Sequence, residues 1–314
     1  MNVKKGGNMS LVGKKGVDIS SFNGDVSIEK IKNAGYDFVM IRCGYGGDLQ
    51  VQDDTQFENN VRKCEAAGVP WGAYLYSYAL STEDAESEAR HVIRLLKGKR
   101  PTLPIALDME DGDGYKQKHG GMTFENIDNV CRVFIREIRK AGYYPMLYTG
   151  LEEIENYISP EVLDSVDLWF AQWWKRPDYK GDNMGMWQYG GETNYLESNS
   201  IPGVGVIDKD KCYRDYPSII KNGGYNDWKK SDKVLDAEGY TYKQKDLGIL
   251  ALKELLMIAK KLKITTQGMD ENGTFGDGTL IAVNQVLKRG GYEQNGVAGE
   301  NFMKYLAKLI KEKI

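Results

Sequence analysis

From Gly16 onward the chain repeats one theme. A short run rich in β-branched and aromatic residues is followed by a polar segment with apolar residues three and four apart, and then by a Gly or Pro. The runs KKGVDIS, DFVMIRCG, PWGAYLYSYA, LPIALDME and YYPMLYTG predict five strands. The segments between them predict helices. VSIEKIKNAG ends at Gly35, and DTQFENNVRKCEAAG carries Phe57, Val61 and Cys64 on one face before Gly68. STEDAESEARHVIRLLKG opens on Ser81 or Thr82 as a cap, with acids crowding its first turn as the helix dipole favours. MTFENIDNVCRVFIREIRKAG aligns Ile127, Val130, Phe134 and Ile138 in one stripe, and LEEIENYI follows the fifth strand as a short acidic helix.

Strand and helix in alternation predict right-handed crossovers and a parallel sheet. After Pro160 the rhythm changes: DLWFAQWW, MGMWQYGG and GVGVIDKD are strand-like runs with only polar loops between them. Five βα units plus three strands make eight, which predicts an α/β fold with a closed TIM-like barrel. An open doubly wound sheet is the alternative, but no G-x-G-x-x-G loop supports it. The pattern then dissolves into a linker at residues 219–239. Helical periodicity returns beyond it, with Leu252, Leu255, Leu256, Ala259 and Leu262, then Leu280, Val283 and Leu287, then Phe302, Leu306, Leu309 and Ile310. The expected organisation is a barrel over residues 10–218 and a small three-helix all-α domain over residues 240–314, the latter near the lower size limit for an independent core.

Charge sharpens this division. The net charge of −3 gives no reason to expect nucleic acid. It conceals +4 from Lys229 to Ile314 against −7 for the preceding residues. Neither a secretory signal nor a membrane-length apolar run is visible, so no membrane insertion is expected. Cys43, Cys64, Cys131 and Cys212 are scattered and read as buried free thiols. With His91 and His119 the only histidines, neither a zinc site nor a Cys/His nucleophile is well supplied, and no metal or organic cofactor is called for.

The candidate chemistry lies at the ends of the strands. In LPIALDMED, Asp108 and Glu110 have one residue between them, so in extended chain they share a face. A buried parallel strand has no reason to end in two acids. Parallel α/β barrels carry their functional groups at the C-terminal strand ends. Those ends give Asp18, Arg42, Tyr45, Tyr76, Tyr78, Asp108, Glu110, Tyr148, Gln172, Trp173, Gln188, Tyr189 and Asp208. An acidic cleft walled by Tyr and Trp suits a sugar polymer, because aromatic faces stack on pyranose rings and paired carboxyls move the protons.

GVDIS, FVMIRCGYG, GAYLYSYA, LPIALDMED, LWFAQW, MWQY and GVIDKD, in this order, resemble the family 25 glycoside hydrolases. These are lysozymes that cut the β-1,4 bond between N-acetylmuramic acid and N-acetylglucosamine in bacterial peptidoglycan. The resemblance implies Glu110 as general acid, Asp108 as an ionised carboxylate that stabilises the transition state or orients the acetamido group, and Asp18 and Asp208 as residues that hold and tune the pair. It leaves retention and inversion both open. Leu75 stands where several relatives carry a histidine. DENGTFGDGTLIAVNQVL and NGVAGENFMKYL resemble, in part, the three-helix peptidoglycan-binding domain. Together these imply an endolysin-like muramidase with a wall-binding module, held in the host cytoplasm until lysis. The alternatives are a chitinase-like glycosidase, whose longer acid run is missing here, and a non-catalytic wall-binding protein on a decayed barrel.

Overall fold

The structure is a computed structural model that describes residues 10–228 and 235–314. Residues 1–9, part of the N-terminal stretch in which no secretory signal is visible, and residues 229–234 of the expected linker lie outside the described residues. The chain divides into two compact units, Met1–Trp228 and Lys229–Ile314.

The first unit is a closed eight-stranded barrel. Its strands are β1 (Lys15–Ile19), β2 (Phe38–Tyr45), β3 (Trp71–Tyr76), β4 (Ile105–Asp108), β5 (Pro145–Gly150), β6 (Asp167–Ala171), β7 (Met184–Gly190) and, after a two-stranded ribbon of β8 (Ser200–Ile201) and β9 (Gly205–Val206), β10 (Asp208–Cys212). They close in the order β1-β10-β7-β6-β5-β4-β3-β2. Every adjacent pair is parallel except those of β10, which runs antiparallel to both β1 and β7.

Strict alternation along these strands sorts two cores. Phe38, Met40, Tyr74, Ala106, Met146, Tyr148, Trp169, Met186 and Cys212 form one cluster with Leu11, Tyr216 and Ile220, filling the lumen and its floor. Val39, Ile41, Ala73, Leu75, Leu107, Leu147, Phe170 and Trp187 form the other. They pack on the helices that cross the outside: α1 (Ile28–Asn33), α2 (Phe57–Ala67), α3 (Thr82–Leu96), and, after the short α4 (Tyr115–Lys118), α5 (Phe124–Lys140). Gly16 illustrates how tight the lumen is, since a Cβ there would lie 2.3 Å from the Phe38 ring.

Two expectations are corrected. The final barrel strand begins at Asp208, later than GVGVIDKD implied; Gly205–Val206 is instead the exposed strand of the two-stranded ribbon. Part of the expected linker is also helix. Beyond α6 (Leu151–Asn156) and α7 (Pro160–Ser165), α8 covers Tyr216–Gly223 and buries Tyr216 and Ile220 in the barrel floor. The chain continues as part of the barrel to Trp228, whose indole Nε1 donates to the Pro101 carbonyl at 3.1 Å.

The second unit contains α9 (Leu247–Lys261), α10 (Asp277–Arg289) and α11 (Glu300–Lys311). Ile249, Leu252, Leu256, Phe275, Val283, Leu287, Phe302 and Leu306 form its separate core. All four cysteines are buried and free. No helix among the described residues is long and apolar enough to cross a membrane.

Candidate active site

Asp108 is the last residue of β4, and its register neighbours are Tyr76 on β3 and Tyr148 on β5. Glu110 lies two residues beyond, half-buried, while Asp108 is 6% exposed. Across the barrel Asp18 on β1 is paired in register with Asp208 on β10. Asp208 therefore reaches the rim from the start of its strand, because β10 runs against the rest.

Three recesses open on this rim. One of about 260 Å³ lies over the barrel axis and is lined by Asp18, Arg42, Tyr74, Tyr76, Asp108, Glu110, Trp169 and Asp208. A second of about 710 Å³ lies above β5–β7, with Glu153, Tyr148, Gln172 and Trp173 among its walls. A third of about 690 Å³ lies above β2 and β3, with Phe22, Tyr45, Tyr76 and Tyr78. Glu110 is the one residue common to all three.

Gln188 organises the buried side. Its Oε1 accepts from the Tyr148 hydroxyl at 3.0 Å and from the Trp173 indole at 2.9 Å. Its Nε2 must then face Asp18, and it donates to Asp18 Oδ2 at 2.9 Å. Arg42 is held by Asp54, to which its Nε donates at 2.8 Å, and by the Ser21 hydroxyl at 3.0 Å, with the Phe22 ring 4.6 Å away. Tyr78 donates to Asp113 at 2.6 Å and meets Tyr45 edge to face at 6.0 Å.

Burial dominates the electrostatics. It lifts Asp18 well above the carboxylate range, and the nearby Asp208 and Asp210 charges lift it further, against the Gln188 hydrogen bond. Asp108 is likewise raised, by burial and then by Glu110, with Lys116 and Arg42 opposing. Glu110 is raised by burial and Glu153, and Asp208 to about 6 by burial and Glu192. The expected contrast between a protonated Glu110 and an ionised Asp108 is therefore not set by burial, which raises both. Lys116 and Arg42 favour the ionised form of Asp108, and Lys116 favours that of Glu110 as well.

Two expected wall residues are placed differently. Tyr189 points outward: it is buried in the outer core and donates to Glu197 at 2.6 Å, so it belongs to no recess. Alternation forces this, since Gln188 faces in. Gln172 lines the second recess, but its amide is tied to Asp178 through both ends.

The sequence reading missed Asp210, Trp169, Glu153, Lys116 and Phe22. Asp210 is fully buried and its Oδ1 accepts from the Trp169 indole at 2.8 Å. The one-residue spacing that linked Asp108 to Glu110 also links Asp208 to Asp210, so the signal was present. Among the described residues, no group of three or more His, Cys, Asp or Glu side chains could hold a metal ion.

The sequence profile of the glycosyl hydrolases family 25 matches residues 17–198, the stretch that carries Asp18, Asp108, Glu110 and the strands β2 to β7. The chain belongs to this family. An autolytic lysozyme of Clostridium acetobutylicum is 26% identical over 199 residues, which are 63% of this chain and 55% of that protein. Among solved structures, the modular autolysin LytC of Streptococcus pneumoniae, in complex with a synthetic peptidoglycan ligand, is 25% identical with a TM-score of 0.55, covering 63% of this chain and 46% of that one. This family 25 chain thus spans about half the length of those two relatives. In fold it also resembles the CTP1L endolysin, at 18% identity and TM-score 0.55, over 95% of this chain and 99% of that one.

Proposed function

We propose that the barrel is a muramidase that hydrolyses the β-1,4 bond between N-acetylmuramic acid and N-acetylglucosamine in bacterial peptidoglycan. The observation that carries this reading is the position of Glu110 where three recesses meet. A glycan strand laid from the recess above β2 and β3 to the one above β5–β7 presents a glycosidic oxygen to that carboxyl. Aromatic walls on both sides, Phe22, Tyr45 and Tyr78 against Trp173, offer faces for pyranose rings.

Glu110 acts as general acid. Burial and Glu153 raise its pKa, which favours the protonated form that donates to the leaving sugar oxygen. Asp108, beneath the scissile bond with Arg42 and Lys116 favouring its charge, stabilises the oxocarbenium-like transition state or orients the acetamido group. Asp18 and Asp208, paired in register across the rim, hold the pair and tune its protonation. The C-terminal unit, with its own core and a positive balance of charge, serves as a wall-binding module for an anionic, insoluble substrate.

The test is mass spectrometry of borohydride-reduced products from purified peptidoglycan, wild type against Glu110→Gln. Reduced N-acetylmuramic acid ends should appear with wild type. In the variant they should fall by roughly three orders of magnitude, as expected for loss of an essential acid. Reduced N-acetylglucosamine ends would mean that the other bond is cut. No new ends from a folded wild type would leave a binding protein in place of an enzyme.

A further inference from the structure

Next to the acid pair a lysine sits in an unusual setting. Lys116, in α4, is 1% exposed, and none of the carboxylates among the described residues lies within 4.0 Å of its ammonium group. Nζ donates instead to two backbone carbonyls, those of Ser77 and of Glu110 itself. It also lies over two aromatic faces, 5.5 Å from the centre of the Tyr76 ring and 6.0 Å from that of Tyr78. An ammonium group taken out of water without an ion pair is expensive, and carbonyls and rings compensate only part of that loss. A fold that needed only to close this turn could do so with an uncharged side chain.

The loop geometry shows what the charge adjoins. Asp111 accepts from the backbone amides of Lys116 and Gln117, so the turn from Glu110 to α4 is closed on itself. The ammonium then reaches back from α4 to the Glu110 carbonyl and fixes the peptide from which the Glu110 side chain projects into the cleft. Facing it are Asp108 and Glu110 from β4 and its end, Asp113 from the same loop, Glu153 from α6, Glu88 from α3, the thiol of Cys131 from α5, and Tyr76 and Tyr78. Arg42 is the other cation acting on Asp108, and its Nε and one terminal nitrogen are bound to Asp54 and Ser21.

We propose that Lys116 is a positioning residue of the acid pair, anchoring the Glu110 peptide and supplying the buried positive charge that offsets the burial of Asp108 and Glu110. The inference rests on the reading of Asp108 and Glu110 as the acid pair of a glycosidase. Without Lys116 the pair faces Glu153, Asp113 and Asp208 with Arg42 as its main counter-charge, and both carboxyls would hold protons to higher pH. The same direction appears in the physical causes of their present states, in which Lys116 opposes burial for each.

The experiment compares pH profiles of kcat/KM on soluble peptidoglycan fragments for wild type, Lys116→Met and Lys116→Arg. Lys116→Met should displace both limbs of the bell upward by about one pH unit. It should also lower the activity at the wild-type optimum at least tenfold. Lys116→Arg, which keeps the charge, should hold the limbs near their wild-type positions even if kcat falls. Should Lys116→Met not fold, Lys116→Gln is neutral, retains a donor for one carbonyl, and carries the same expectation. A neutral variant that folds and loses kcat with both limbs unmoved would reduce Lys116 to a structural tether and overturn the proposal. A wild type with no glycosidase activity would instead overturn the reading of the site.

Discussion

Glu88 shows at the scale of one residue how this site stores charge. It is fully buried on α3, where it accepts from the Ser77 hydroxyl at 2.8 Å and from the Tyr78 amide at 2.7 Å. Burial pushes its pKa up to about 7 from an ordinary 4.5, despite those bonds and Lys116. Below about pH 4.5 it is protonated folded or unfolded. Between there and 7 the folded chain keeps a proton that the unfolded chain has released, so stability falls as pH rises and levels off above 7. Glu88→Gln cannot ionise and keeps an acceptor for Tyr78. Relative to wild type it should therefore gain about 3 kcal/mol between pH 4.5 and 8. Denaturant unfolding of both proteins across that range measures the difference, from which the other titrating acids cancel; parallel curves would show that Glu88 titrates as an ordinary carboxyl. Neither Glu88 nor Lys116 was legible in the sequence, because Glu88 sits in a charged helical stretch and Lys116 in a Gly-rich polar loop, and both read as solvated surface. Asp18, Asp108, Glu110, Tyr76, Tyr148 and Gln188 were legible because a strand end fixes which way a side chain points. Tyr189 was misplaced for the same reason, since the next residue along a strand must face the other way.

At the scale of elements, the alternation of β-rich and helical runs announced β1 to β5 with their helices, because each apolar run ends at a Gly, Pro or cap that physics places there. The last strand was harder to read. β10 closes the barrel antiparallel, and no local sequence signal records the direction of a strand whose partners are remote. Its start was blurred by Gly205–Val206, which alternates like a strand but pairs only with Ser200–Ile201. Capping of α11 in the second unit was equally non-local. α11 begins after Gly299, which offers no side-chain cap, and the donors at its start are met by Asp236. Its carboxyl accepts from the amides of Asn301 at 3.2 Å and Phe302 at 2.7 Å and from the Asn301 side chain at 2.9 Å. Asp236→Ala should cost about 1–2 kcal/mol, as for a lost N-terminal cap. Hydrogen exchange of the α11 amides in the full chain would register this as a roughly five- to thirtyfold loss of protection confined to the second unit. Unchanged exchange would mean that Gly299 and water suffice to cap the helix.

At the scale of the molecule, the two units meet the energetic requirement for independence, because no residue of the barrel's cores belongs to the core of the second unit. The barrel ends later than the loss of sequence pattern implied. Trp228 closes its floor, with Arg100 at 5.1 Å and Lys221 at 4.6 Å from the indole ring, and Asn226 donates to the carbonyls of Pro101 and Leu103. A truncation after residue 218 would remove these contacts together with Ile220, whereas one after Trp228 leaves them whole. The protein ending at Trp228 should therefore fold, with near-ultraviolet circular dichroism from the lumen aromatics retained. On soluble peptidoglycan fragments its kcat/KM should stay within about twofold of the full chain, since every group lining the three recesses lies before residue 209. On intact walls the comparison changes. A second attachment converts each encounter with an insoluble polymer into a local search, and its loss should lower the rate by roughly 10²-fold at limiting enzyme. Equal rates on both substrates would show that the C-terminal unit does not hold the barrel to the wall. A truncated barrel that fails to fold would show that the second unit completes the first, against the separation of their cores.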